Sequence, residues 1–357
     1  MSDITQRKAD HLDLTTRGDV GFRKNSTLLE CVELVHDALP ELSFPELDTG
    51  LELFGKTLKA PILIAAMTGG HERAERINRE LASIAEERGL AFGLGSQRAM
   101  LTRPHTRQSY KIRGDAPNAL VLGNLGIVQA TAMSTAEIAE LVGEVGADAL
   151  CVHLNPAMEL VQDDGDRDFR RGLETLTRLV AELGVPVIAK ETGCGLSPSV
   201  GRRLRALGVR HVDVSGAGGT SWVAVETERA SPRRRGIGQT FREWGIPTAA
   251  SVVFMAGSGF ETIFATGGIQ SGLDAAKAIA LGASAAGIAR PTLQALEAGG
   301  RAGAVEFLSR IEEELRVAML LVGAGSLPAL RRAPRVLLGP LKDWLTQLGG
   351  LSASLGP

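Results

Sequence analysis

Eight short apolar runs, each bounded by turn residues, constrain this chain more than any other feature. They lie at 61–65, 90–94, 119–122, 149–154, 185–189, 211–214, 263–265 and 285–288. Segments with helical apolar spacing follow most of them, at 73–88, 135–145, 169–183 and 198–207, and again from Asp274. Strands covered on both faces read as unbroken apolar runs, and alternation with helices makes them parallel through right-handed crossovers. The expected fold class is α/β, a (β/α)8 TIM barrel over 61–292 within a single domain. An N-terminal arm and extension (1–60) would precede it, and C-terminal helices with a tail (293–357) would follow. A doubly wound open sheet would need neither eight repeats nor polar residues at nearly every strand's C-terminal end.

Outside the barrel the reading is coarser. A short helix is expected near 28–38, an outer helix at 305–321 and a frayed tail beyond Leu348. The stretch 228–238, ERASPRRRGIG, packs four arginines, a proline and two glycines between the sixth and seventh strands. It reads as a mobile, solvated insertion or as a lid over an anionic substrate.

A length of 357 residues suits one barrel with extensions, and 43 glycines suit many strand-to-helix turns. A net charge of −2 offers no basic field for nucleic acid. Cys31, Cys151 and Cys194 form no CxxC, which fits a reducing cytosol and excludes a cysteine zinc site. No apolar run approaches the ~20 residues of a membrane span, and the polar start MSDITQRKADHLDL is unlike a secretory signal. A soluble cytoplasmic protein is expected.

Barrels gather chemistry at the C-terminal ends of their strands. Here those ends carry Met67-Thr68-Gly69-Gly70, Gly95-Ser96-Gln97-Arg98, Asn124, His153 with Asn155 and Glu159, Lys190-Glu191, and 215–220. Gly267-Gly268 after the seventh strand and Ala289-Arg290 after the eighth form two successive turns. Glycine lets backbone N–H groups approach an anion, and barrels commonly bind phosphate at this pair of turns. A flavin mononucleotide, FMN, fits the pattern. Its ring would lie across the early strand ends and draw hydrogen bonds from Thr68, Ser96 and Asn124. Lys190 would supply positive charge to the reduced, anionic flavin. Other phosphate-bearing ligands satisfy the same logic.

Several segments resemble the type 2 isopentenyl-diphosphate isomerase family: RKADHL (7–12), AAMTGG (65–70), GSQR (95–98), NLG (124–126), HLNP (153–156), AKETG (189–193), DVSGAGGTSW (213–222) and TGGIQSGLDAAKAIALGA (266–283). The resemblance implies an FMN-dependent barrel that interconverts isopentenyl and dimethylallyl diphosphate for isoprenoid synthesis. It implies flavin contacts at Ala66, Met67, Thr68, Gly69, Ser96, Asn124, Lys190, Ser215 and Thr220. The phosphate would sit among Gly267, Gly268, Ala289 and Arg290. It places the substrate diphosphate among Arg7, Lys8, His11, Ser96, Gln97, Arg98, His153, Asn155 and position 158, and Mg²⁺ on Glu159. Lys190, His153 and position 158 are the implied catalytic set. NADPH or another donor would reduce the flavin, although no dinucleotide fingerprint is present. A homo-oligomer, tetramer or octamer, is the expected assembly.

One departure stands out. The family pattern HLNxxQE reads HLNPAME here, so Met158 replaces a glutamine, and a thioether cannot offer the same hydrogen bonds. A neighbour such as Gln162 would have to compensate, or the reaction would slow, or the substrate would differ. Two other readings stay open. An oxidoreductase of the 2-hydroxy-acid oxidase type shares the glycine turn but needs a histidine and arginines on late strands, and His211 starts its strand. A catalytically impaired flavin-binding homologue is the third, on the strength of Met158.

Overall fold

The structure, a computed structural model, describes residues 4–349, with side chains described for 10–16 and 18–349. Its strands are β1 (Val32–Leu34), β2 (Leu51–Leu53), β3 (Lys56–Leu58), β4 (Ile62–Ile64), β5 (Ala91–Gly93), β6 (Leu120–Gly126), β7 (Ala149–Leu154), β8 (Val187–Glu191), β9 (His211–Asp213), β10 (Thr262–Ala265), β11 (Ala285–Ile288) and β12 (Arg335–Leu337). Strands β4 to β11 pair in order, all parallel, and β11 closes on β4. Each expected apolar run is a barrel strand.

The helices form where local chemistry starts and stops them. Ser134 and Glu137 cap Thr135–Val145 reciprocally, and the left-handed Gly146 ends it. Left-handed Gly89 likewise ends Glu72–Arg88. One apolar layer lies between strands and helices, and a second fills the barrel around Leu63, Leu122, Ile188 and Phe264. The β2–β3 hairpin adds Leu53 and Leu58 to this inner layer. Phe54 at its turn meets His211 edge-on, with centroids 4.8 Å apart. That contact places His211 at the closed, N-terminal end of the barrel.

Two expectations outside the barrel are corrected. The stretch 28–38 holds a single 3₁₀ turn, Leu29–Cys31, and then β1, which pairs antiparallel with β12 some three hundred residues away. The 228–238 stretch is largely exposed, as a solvated insertion would be, but it is helical: it joins the helices Trp222–Arg229 and Pro232–Phe241, with Pro232 at a first helical position where its missing N–H costs nothing. The outer helix runs Arg290–Leu321, broken by left-handed Gly300 at φ 61°. The tail from residue 350 lies outside the described residues.

Candidate active site

Strand register sets the floor of the site. Gly126, His153, Lys190 and Asp213 are successive partners across β6 to β9, so one row crosses this side of the barrel near its C-terminal mouth. Above it opens a cavity of 590 Å³, the size of a site for a small organic ligand.

Lys190 lines that cavity from β8 and is largely buried. Its Nζ donates to Asp213 Oδ2 at 2.6 Å and to Thr266 Oγ1 at 3.3 Å. The Thr266 hydroxyl donates to Asp213 Oδ1 at 2.5 Å, closing a buried triangle. Beside it Ser215 holds a left-handed φ of 37°, unusual for a side chain with a Cβ. Its carbonyl accepts from the N–H groups of Gly193 and Gly195.

His153 Nδ1 lies 2.7 Å from Asn124 Oδ1, an acceptor, so Nδ1 carries the proton. Asn124 is fixed in turn, its Nδ2 donating to the Leu94 carbonyl at 3.1 Å and its N–H to Gln97 Oε1 at 2.8 Å. Asn155 Nδ2 donates to Glu159 Oε1 at 2.9 Å, and the Asp166 N–H donates to Oε2 at 2.9 Å. Arg98 stands 3.6 Å from Asp166. Met158 lines the same wall, with its sulfur 3.9 Å from Asn155 Nδ2. Glu191, by contrast, turns away from the cavity and accepts backbone N–H groups of Thr192, Cys194 and Gly195. Burial pushes its carboxyl up to about 8 against the pull of those bonds.

At the other end the backbone makes a cradle. Gly267 (φ 97°) and Gly268 (φ 80°) abut Gly216, Gly218 and Gly219, and a Cβ on Gly219 would come within 2.7 Å of Gly268 Cα. Among the described residues, the N–H groups of Gly219, Gly267 and Gly268 donate to nothing. Helix Gly272–Ala280 is capped by its own Ser271 and Asp274, so its N-terminus is already satisfied. The open N-terminus belongs to the helix beginning at Arg290, where Ala289 provides no side-chain cap. Arg290 lines the cavity, donates to the Gly18 carbonyl at 2.7 Å and keeps a buried Nε without a partner among the described residues.

The N-terminal helix Ile4–Arg17 lies over the mouth. His11 reaches Glu226 at 2.6 Å and packs edge-on to Trp222, while Asp10 pairs with Arg229 at 2.9 Å. The side chains of Arg7 and Lys8 lie outside the described residues.

Eighteen expected site residues therefore meet in one cavity, from His11 and Ala66 to Ala289 and Arg290. Two do not reach it. Gln97 is fully buried behind the wall, its Nε2 donating to the Leu141 carbonyl at 3.3 Å, so it positions Asn124 and cannot touch a ligand. Gly69 packs against the Tyr110 ring, which leaves no room for a Cβ, and faces away from the cavity. Sequence reasoning missed Asp213, Thr266 and Trp222. All three are end residues of the segments 213–222 and 266–283 and were given no role, and Asp213 ends its strand as Lys190 nearly ends its own, a signal that could have been used.

The family of FMN-dependent dehydrogenases matches residues 2–111 and 152–336. The isopentenyl-diphosphate delta-isomerase of Methanothermobacter thermautotrophicus is 45% identical over 348 residues, 97% of each chain. That of Synechococcus sp. is 46% identical, covering 94% of this chain and 97% of the relative. That of Halobacterium salinarum is 43% identical over 96% of each. Among solved structures, a mandelate oxidase with a monooxide FMN adduct superposes with a TM-score of 0.64 at 19% identity, over 91% of this chain and 95% of the other. Mandelate oxidase with (S)-2-phenylpropionate gives 0.61 at 21%, over 94% and 98%. Likeness at that identity is one of fold.

Proposed function

This chain belongs to the isopentenyl-diphosphate delta-isomerase family, within the FMN-dependent dehydrogenases, and from that premise we propose that it interconverts isopentenyl and dimethylallyl diphosphate by a 1,3-allylic proton shift. The observation that carries this reading is kinship with isomerases along nearly the whole chain. An oxidase reading lacks its base, because His211 sits at the closed end of the barrel against Phe54.

The residues present fit FMN. Thr68 Oγ1 is buried in the cavity wall without a partner among the described residues, and such a hydroxyl is costly unless a ligand satisfies it. Three undonated glycine N–H groups and the Arg290 Nε await an anion at the far end. Mg²⁺ is consistent with Glu159. Each of its oxygens accepts one hydrogen bond and retains a lone pair, and diphosphate oxygens and water would complete the shell. No group of three or more potential metal ligands occurs among the described residues, so the ion would arrive with the substrate. We place the reaction in the cytoplasm, in a homo-oligomer, with NADPH as reductant.

Reduced FMN, when bound, supplies the acid–base partner for the allylic carbons, and the protein supplies orientation and electrostatics. Lys190 places an ammonium at the floor of the cavity. His153, held through Nδ1 by Asn124, turns its other ring nitrogen toward the place of the diphosphate oxygens. Arg98 swings from its 3.6 Å contact with Asp166 to the same oxygens. Trp222 and the N-terminal helix exclude water from the prenyl end. The test is direct: protein with photoreduced FMN, Mg²⁺ and isopentenyl diphosphate, held in D2O without oxygen, must place deuterium in dimethylallyl diphosphate. A yellow protein that incorporates none would defeat the proposal, as would flavin reduction by a 2-hydroxy acid in its place.

A further inference from the structure

Asp213 is a charged group that the proposed reaction does not use, and it lies directly beneath one that it does. It is 2% exposed and absent from the cavity wall, whereas its partners Lys190 and Thr266 both line the cavity. Its contacts are complete: Oδ2 accepts from Lys190 Nζ at 2.6 Å, and Oδ1 accepts from the Thr266 hydroxyl at 2.5 Å and the Ser215 N–H at 3.3 Å. Cys151, a further titratable side chain within electrostatic reach of the pair, is a neutral thiol that burial pushes up to about 12. Lys190 and Asp213 therefore form the contacting cation–anion pair of the floor, with His153 the next residue in the same row.

We propose that Asp213 is a positioning residue that sets the redox poise of the flavin by neutralising Lys190. The proposal rests on the flavin reading of the cavity and deepens it. An ammonium alone under the ring would favour the reduced, anionic form strongly and make it a poor base. A carboxylate in contact with that ammonium cancels most of its field at the ring while leaving its N–H donors in place. Reduced flavin then stays basic enough to exchange protons, which a redox-neutral isomerisation needs and an electron-transfer reaction does not.

The test is the two-electron midpoint potential of bound FMN at neutral pH, measured anaerobically in the wild type and in D213N, with flavin stoichiometry and circular dichroism recorded for each. D213N keeps the shape and removes the charge. Its expected effect is at least tenfold stronger retention of the reduced form over the oxidised, a rise of about 30 mV or more for a two-electron couple. Asp213→Ser removes the same charge with a smaller side chain and carries the test if Asn does not fold. Thr266→Val keeps both charges and removes only the bridging hydroxyl, so its shift must be clearly smaller. An unchanged or lowered potential in the charge-removing variants overturns the proposal, and so does an equal shift in Thr266→Val. A wild type that takes up no FMN sinks the flavin reading and this inference with it. A wild type that binds FMN while the potential ignores Asp213 sinks the inference alone.

Discussion

Thr68 shows what a single unsatisfied atom predicts. Its hydroxyl is buried without a partner among the described residues, on a wall facing the cavity. Thr68→Val preserves the branched shape and removes the orphan. The flavin-free protein should gain about 1 kcal/mol of stability, seen as a higher melting temperature. FMN affinity should fall about tenfold, roughly 1.4 kcal/mol, seen by fluorescence-quenching titration. Glu191 makes the complementary case. Its carboxyl is raised from the ordinary value to about 8, first by burial, against three backbone N–H donors. The fold therefore prefers the protonated form. That contribution is fully present below about 4.5, the unfolded value, and is lost as pH rises through about 8. Melting temperature should decline across that window in the wild type, whereas Glu191→Gln, which accepts the same N–H groups without ionising, should give a flat profile. Chemistry at this scale is only half legible in sequence. Gln97 lies next to Ser96 and Arg98 yet points into the wall, because it stands past the strand, at the N-cap of the helix Arg98–Thr102, and exchanges hydrogen bonds with the Asn124 backbone. Asp213 escaped notice because its importance lies in a cross-strand partner.

Elements were legible where the signal was local. All eight barrel strands could be read because a doubly covered strand writes an unbroken apolar run. β6 was cut short at Leu122, since Gly123, Asn124 and Gly126 look like turn residues; in fact they continue the strand into the site, every residue of it buried. The β1–β12 pair was invisible, as no local pattern encodes a partner three hundred residues away. The same blindness hid the latch on the 18–25 segment. Glu243 accepts the successive N–H groups of Arg23, Lys24 and Asn25, each at 3.0 Å, and Arg242 donates to the carbonyls of Asp19 and Gly21. Partial burial works against its ionised form, but these backbone donors prevail and hold it below the usual glutamate range. Gly21 and Phe22 meanwhile line the cavity, and Arg290 holds the Gly18 carbonyl. This segment thus lies against the glycine cradle, and we expect it to hold a bound flavin in place. Glu243→Ala should leave the barrel folded and speed FMN release about tenfold, a loss of roughly 1.4 kcal/mol in the closed state. Recovery of free-flavin fluorescence on dilution measures it, and an unchanged rate would show that the segment does not gate the cofactor.

Across the whole molecule the two ends of the barrel do opposite work. The closed end is packed by Leu53, Leu58 and Phe264, and it fixes the strands whose far ends build the site. Phe264 is fully buried at the centre of that layer, so Phe264→Ala should cost about 3–5 kcal/mol, read as a lower denaturant midpoint. The open end is covered by a helix from the start of the chain, and this helix is held by buried Leu12 together with polar contacts. His11 meets Glu226, Asp10 meets Arg229 at 2.9 Å, Asp13 meets Arg73 at 2.7 Å, and Gln294 donates to the Thr16 carbonyl. The Asp10–Arg229 and Asp13–Arg73 pairs are partly exposed and contribute little each, so the helix is held mainly by Leu12 in the apolar core and by the buried His11–Glu226 contact. Its contacts fall on Trp222–Arg229, on Arg73 and on the start of Arg290–Leu321, whereas the cradle glycines lie at 216–219 and 267–268 and pack against the segment around Phe22 and Thr27. Substrate capture and cofactor retention are thus assigned to different parts of the chain. Deleting residues 1–16 tests that division. The truncated protein should still take up FMN at full stoichiometry, while KM for isopentenyl diphosphate rises at least tenfold, because a mouth left open loses His11 and its share of the diphosphate contacts. Should flavin content fall in step with activity, the first helix would belong to the cofactor site, and the separation of roles would be wrong.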